Sequence, residues 1–266
     1  MSWLTLYKKE IRLTKTKFLL NIIFLLMVAV LFYVLIERYS PMFIMLTIPL
    51  IILHLFYLFF AMIDSLRLEW KQKTSFFWLN IPRTGWELLS AKFLAATTQL
   101  FVSLLTTFMI IYFLLKQSSG KFSDPTIPQF LFEQYQSFWW ILFFGIFVGS
   151  LQFGAVSTFI FMMSKSIRKW GWLIGVAITL GAGWLWSRFQ ETVIYKGITE
   201  WGVILNTDTI MNSFIIHIDE IGGDPTLDME AATEAVLYIG TTVVDIVVVV
   251  AVLFISSWLL DNKVEA

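Results

Sequence analysis

Six stretches of this chain are apolar over lengths that match the thickness of a lipid bilayer. They cover residues 18–36, 42–63, 93–115, 137–163, 170–186 and 237–260. A helix needs about 20 apolar residues to cross the hydrocarbon core. Backbone groups inside that core find no water, so an apolar run of this length crosses as a helix that satisfies its own N–H and C=O groups. About half of the 266 residues fall in such runs. Composition agrees, with 58% hydrophobic and 14% charged residues. Soluble domains carry about 25% charged residues. A water-soluble enzyme is excluded. So is a disordered chain, which could not leave 26 Phe and 12 Trp unburied.

The shortest run, 170–186, is bracketed by Trp170, Trp172, Trp184 and Trp186, which suit the membrane interface. The first run has a basic flank, as a signal peptide has. It is followed by Glu37, Arg38, Tyr39, Ser40 and Pro41 rather than by small residues, so it reads as a retained span. Lys and Arg then set the orientation. Residues 1–17, 64–92, 164–169 and 261–266 hold 14 of the 19 basic residues, against five in 37–41, 116–136 and 187–236. The basic side faces the cytoplasm. The expected fold is an all-α integral membrane protein: one transmembrane domain over 1–266, six spans, both termini cytoplasmic, in the cell membrane.

Three segments lie outside the spans. Residues 2–17 pattern as an amphipathic helix on the inner surface, with Leu4, Tyr7 and Ile11 on one face and Lys8, Arg12 and Lys15 on another. The plainer reading is a basic flank that only sets topology. Residues 187–236 form the largest outer segment and carry nine acids against Arg188 and Lys196. It is expected to fold back as short helices, serving as an acidic outer gate or as a solvated cap. Residues 64–92 form an inner segment too long for a turn and too aromatic for a solvated linker, with Trp70, Phe76, Phe77, Trp78 and Trp86. Pro82 breaks any helix before it, and a new helix starts after Gly85 and runs into the third span.

Chemistry-bearing motifs are scarce. There is no Cys, no phosphate-binding G-x-x-x-x-G-K-[ST] loop and no H-E-x-x-H or G-x-S-x-G. No catalytic, metal or cofactor site is expected, and zero net charge gives no reason to expect a nucleic acid partner. Ionisable groups in a bilayer are costly and usually functional. Within the six runs they are His54 and Asp245, with Gln99 and Gln152 as further polar candidates. Interhelical hydrogen bonding explains them as well as transport does. Gly145 and Gly149 give a G-x-x-x-G spacing that serves either packing within the chain or a dimer contact. Pro49 interrupts the second run.

The inner segment reads Glu-Trp-Lys-Gln-Lys-Thr-Ser-Phe-Phe-Trp-Leu-Asn-Ile-Pro-Arg-Thr-Gly-Trp-Glu-Leu-Leu-Ser-Ala-Lys over residues 69–92. It resembles the inner loop of type-2 ATP-binding-cassette (ABC) exporter permeases. Glu69 matches that family's acid and Thr74 its threonine. Phe77 and Leu79 stand near its apolar pair, and Pro82, Glu87 and Lys92 match the later positions. Lys73 and Ala91 stand where the family has glycines. The resemblance extends to the six-span layout with its leading amphipathic helix and large outer segment.

The resemblance implies a permease with no ATPase activity of its own. Two permease subunits, identical or homologous, would sit on two separate ATPase subunits that hold ATP and Mg. The inner loop would be a coupling helix seated in a cleft of the ATPase. Trp70, Phe76, Phe77 and Trp78 would anchor there, and Glu69, Lys71, Lys73 and Arg83 would form a polar rim. Otherwise these aromatics lie in the headgroup layer. In the resembling family, small permeases export amphipathic peptides, toxins and antimicrobial compounds, and others export lipids, drugs or polysaccharides. An ion-coupled carrier and a membrane scaffold or sensor are the competing functions.

Overall fold

The architecture is that of a computed structural model, which describes residues 2–74, 78, 82–118, 126–167, 169–206 and 235–264. Helix α1 (Trp3–Arg38) leads into a 3-10 turn (Pro41–Leu46), then α2 (Thr47–Leu55) and α3 (Tyr57–Lys71). Helices α4 (Gly85–Ser118), α5 (Thr126–Ser166) and α6 (Gly171–Gln190) follow. Short α7 (Val193–Thr199), strands β1 (Val203–Asn206) and β2 (Ala235–Tyr238), and α8 (Ile239–Lys263) complete the order.

Every apolar run of the sequence lies in helix over all or nearly all of its length. Four helices are long and apolar enough to cross a membrane, and the bent pair Met42–Leu55 with Tyr57–Lys71 makes a fifth. The protein is therefore a membrane-embedded helical bundle. One end of the bundle, here called basal, brings Trp3 to Ser90, Gly85 to Asp261 and Trp70 to Lys165. The other, distal end brings the 3-10 turn near Leu205 of β1.

Helix α4 is the axis of the bundle. Half of its most apolar window is buried, against 11% for α1, so α1 is peripheral and touches the bundle along one edge. The basal core joins Leu58, Met62 and Leu66 of α3 to Leu89 and Leu100 of α4 and Met162 of α5, all sealed from solvent. A distal core joins Leu25 and Phe32 of α1 to Leu50 and Ile111. The outer side of α1 presents Leu20, Ile23, Phe24, Met27 and Val30 outward, as a lipid-facing surface does.

Four expectations change. Residues 2–17 are helical but not a separate element, since α1 runs unbroken for 36 residues, or about 54 Å. Its early turns are held by Trp3 Nε1 donating to Ser90 Oγ (3.0 Å) and Tyr7 bonding Thr98 (3.0 Å) on α4. Leu4, assigned with Tyr7 to the apolar face, is exposed, and Leu6 is buried instead.

The second run breaks at Phe56 (φ −93°, ψ 0°), with a bend of 43°, and not at Pro49. Pro49 lies in the first turn of α2, where its missing N–H costs little. The bend frees the N–H of Leu58, and Ser150 Oγ accepts it at 3.3 Å. A neighbouring helix thus satisfies the broken ladder.

The small residues of α5 serve that same contact. A Cβ at Gly149 would come within 2.6 Å of Leu55, and one at Gly154 within 2.8 Å of Leu58. Gly145 faces open space, so the close approach is within the chain and runs over 149–154 rather than the G-x-x-x-G pair.

The outer segment does contain a short helix, α7, but also an antiparallel ribbon that helical expectations missed. Val203 pairs with Tyr238 and Leu205 with Leu237. Residues 207–234, with most of the segment's acids, lie outside the described residues.

Candidate functional site

The inner segment begins where α3 ends, and that end is a Schellman cap. Thr74 N–H donates to Glu69 O (3.0 Å) and Lys73 N–H to Trp70 O (3.3 Å). The motif needs a left-handed residue, and Lys73 supplies it at φ 55°. This conformation favours glycine, because a Cβ crowds the following carbonyl. The cap turns Thr74 back over its own helix. Thr74 Oγ1 donates to Glu69 Oε2 at 2.8 Å, and Trp78 N–H donates to Thr74 O at 2.9 Å.

Glu69 belongs to a buried charge cluster. Lys92 Nζ, on α4, donates to Glu10 Oε2 of α1 (2.6 Å), Ser65 Oγ of α3 (3.1 Å) and Glu69 Oε1 (3.3 Å). An ammonium has three N–H donors, and all three are taken. Lys92, Glu10 and Glu69 are 2%, 4% and 6% exposed. Charges this deep persist only when paired and hydrogen-bonded. Three helices and the inner segment therefore meet at one ammonium. Trp78 lies over it, with its ring centroid 5.6 Å from Nζ.

Trp78 is packed inside the chain rather than presented outward. Trp78 is 2% exposed, packed edge-on to Trp70 at 5.9 Å. Trp70 in turn meets Phe161 (5.2 Å) and carries Lys165 over its ring (5.2 Å). Trp78 is thus part of this chain's own core, because its neighbours already enclose it. Phe76, Phe77 and Leu79 lie outside the described residues. The outward groups are Pro82, Arg83 and Thr84. Arg83 pairs with Glu87 at 2.9 Å, one helical turn on. Gly85 N–H donates to Asp261 Oδ1 at 2.8 Å, which ties the returning segment to the end of α8.

The polar candidates inside the bundle fall into separate groups. His54 Nδ1 lies 2.9 Å from Leu50 O, which can only accept, so Nδ1 carries the proton and Nε2 accepts. Ser103 Oγ (3.1 Å) and Thr107 Oγ1 (3.2 Å) face Nε2, and Asn21 Nδ2 donates to Ser103 at 2.8 Å. Gln99 Nε2 donates to Thr14 Oγ1 at 2.5 Å. Both groups stitch α4 to its neighbours. Gln152 of α5 neighbours Asp245 of α8. Gln152 also lines an apolar cavity of about 390 Å³ between α5, α6 and α8, with Phe159, Trp186 and Val249.

Sequence reasoning missed Glu10 and Ser65. One signal was available: Glu10 is the lone acid among five bases in the first 17 residues, in helical register with Trp3, Tyr7 and Thr14. Among the described residues, no group of three His, Asp or Glu stands ready to hold a metal ion. Comparison with protein-family models, curated proteins and solved structures returns no match.

Proposed function

We propose that this chain is the transmembrane permease subunit of an ATP-driven ABC exporter, coupled to a separate ATPase through residues 69–92. One observation carries the reading. Glu69, Thr74 and Lys92, three of the positions on which the family resemblance rests, form one hydrogen-bonded cluster although they lie up to 23 residues apart. The left-handed Lys73 supports it too, since the resembling family has glycine at that position.

The geometry suits force transmission. A push on the tip around Pro82 and Arg83 passes to Trp78, Thr74 and Glu69, and from there through Lys92 and Glu10 into α4 and α1. Close-packed interiors transmit strain rather than absorb it. Helix α6 has 20 residues, about 30 Å. Counted as a span, the fifth in chain order, it brings the total to six, which fits both termini on one side, the side the basic residues assign to the cytoplasm. The complex is then two permease subunits, identical or homologous, on two ATPase subunits that bind ATP and Mg, in the cell membrane. The apolar cavities suit amphipathic cargo such as peptides or toxins.

The test is co-expression with an ATPase that has P-loop motifs and no spans, encoded beside this chain. A stable complex with stimulated ATPase activity, weakened by Arg83→Glu, is expected. A lone monomer in mild detergent, or protease access to residues 71–84 from outside the cell, would overturn the reading.

A further inference from the structure

A cavity of about 410 Å³ opens between α1, the bent α2–α3 pair and α4. Toward the basal end its wall shows Glu10, Ser65 and Lys92, and toward the distal end Phe18, Leu53 and Tyr57. Thr14, Gln99 and Asn21 also line it, and each is hydrogen-bonded within the bundle. Glu10 and Phe18 are eight residues apart on one helix, about 12 Å along its axis. At the mouth stand Phe60, exposed, and the ion pair of Lys17 with Asp64. The cavity therefore sets a buried charged cluster at its basal end beside apolar side chains of α1, α2 and α3.

The charges select the head. Glu10, Glu69 and Lys92 are all buried, so two carboxylates share one ammonium and the cluster holds one excess negative charge. The mouth pair of Lys17 with Asp64 is neutral and does not offset it. Lys92 has no N–H left to give. Of the two carboxylates, Glu10 lines the cavity and Glu69 does not. A buried uncompensated carboxylate is costly, and a donating cation removes the cost.

The geometry points to this cavity as a binding site for a primary ammonium carried on an apolar body, with the ammonium on Glu10 and the apolar part along Phe18, Leu53 and Tyr57. The site is independent of any ATPase partner. It needs only the membrane-embedded bundle. Two sources share this chemistry, the headgroup of an aminophospholipid and a soluble amphipathic amine.

The experiment uses the whole chain purified in neutral detergent. Retention of phosphatidylethanolamine and phosphatidylcholine is compared by native mass spectrometry. Binding of dodecylammonium and dodecyltrimethylammonium is compared by tryptophan fluorescence. The primary ammonium should be preferred by about tenfold, the scale of a charge-assisted hydrogen bond that a quaternary head cannot make. Preference in the lipid arm identifies the bilayer as the source, and preference in the detergent arm alone identifies a soluble amine. Glu10→Gln leaves Lys92 with one carboxylate and a neutral cluster, so it should fold and lose the preference. Ala61→Phe fills the cavity and should abolish binding of both heads. Equal retention of both heads by the unmodified chain would overturn the proposal. So would an unchanged preference in Glu10→Gln, because the ammonium would then not rest on that carboxylate.

Discussion

Lys92 Nζ lies 2.6 Å from Glu10 Oε2, so the start of α4 is locked to α1 across 82 residues of sequence. Neither partner touches water to any extent, and the second carboxylate, Glu69, is as deeply placed. Removing the shared ammonium strands both carboxylates. Lys92→Met is expected to destabilise the fold by about 3–5 kcal/mol, because two buried carboxylates lose their counter-ion. Adding Glu10→Gln and Glu69→Gln to Lys92→Met should recover most of that loss. Thermal unfolding in detergent of the parent, Lys92→Met, the Glu10→Gln and Glu69→Gln double variant and the triple variant measures both effects, and additive losses would show that the three groups do not act as a unit.

Trp78 separates folding from docking. Its ring is enclosed by Trp70 and Lys92, so Trp78→Ala should cost about 3–5 kcal/mol in the isolated chain. Arg83→Ala removes a partly exposed pair and should cost no more than about 1 kcal/mol. If Trp78→Ala instead leaves the isolated chain's unfolding midpoint unchanged and weakens only the complex with an ATPase, the ring faces the partner.

Lys73 holds a left-handed conformation with φ 55° at the cap of α3. A non-glycine residue pays roughly 1–2 kcal/mol for this, and glycine pays a smaller entropic cost of roughly 0.5–1 kcal/mol. Lys73→Gly is therefore expected to raise stability by up to about 1 kcal/mol. Lys73→Val, β-branched, should lower it. A shared direction of change for both variants would mean the Schellman turn is not formed.

Hydropathy made the helices legible, because each apolar run needs one mode of backbone satisfaction in lipid. The tertiary joints were not legible. Phe56 carries no local signal for a bend. The break depends on Ser150 accepting Leu58 N–H from a helix 92 residues away. Pro49, the visible breaker, sits where a helix tolerates it. Glu69 and Lys92 stood out only through a family resemblance, and Glu10, the other carboxylate on Lys92, lies in a segment read as a surface helix or a basic flank. The aromatics of the inner segment were read by residue type as partner anchors, yet Trp78 is consumed by its own chain. Burial of a side chain is a property of the packed bundle and leaves no mark at a single position.

The bend gives its own prediction. Ser150→Ala leaves Leu58 N–H without an acceptor and should cost about 1–3 kcal/mol. Gly154→Ala forces a Cβ to within 2.8 Å of Leu58 and 3.1 Å of Phe93, and overpacking of this kind costs about 1–3 kcal/mol. Gly145→Ala meets nothing within 4 Å and should be neutral. A loss at Gly145→Ala seen only in the assembled complex would place a second subunit against that face.

Asp245 decides between two energy sources. Among the described residues of the six apolar runs it is the only carboxylate, and Gln152 is its polar neighbour. A carrier driven by an ion gradient needs a titratable group near the bilayer middle that loads and unloads with each cycle. A permease driven by ATP needs none there. Asp245→Asn keeps the shape of the side chain and its ability to bond Gln152, so folding should be preserved. Under the coupling reading, transport into inverted vesicles with an ATPase present should stay within about twofold of the parent, a difference of under 0.5 kcal/mol on the rate-limiting step. Complete loss of transport in a chain with unchanged unfolding and unchanged ATPase binding would assign the driving force to Asp245 and favour an ion-coupled carrier.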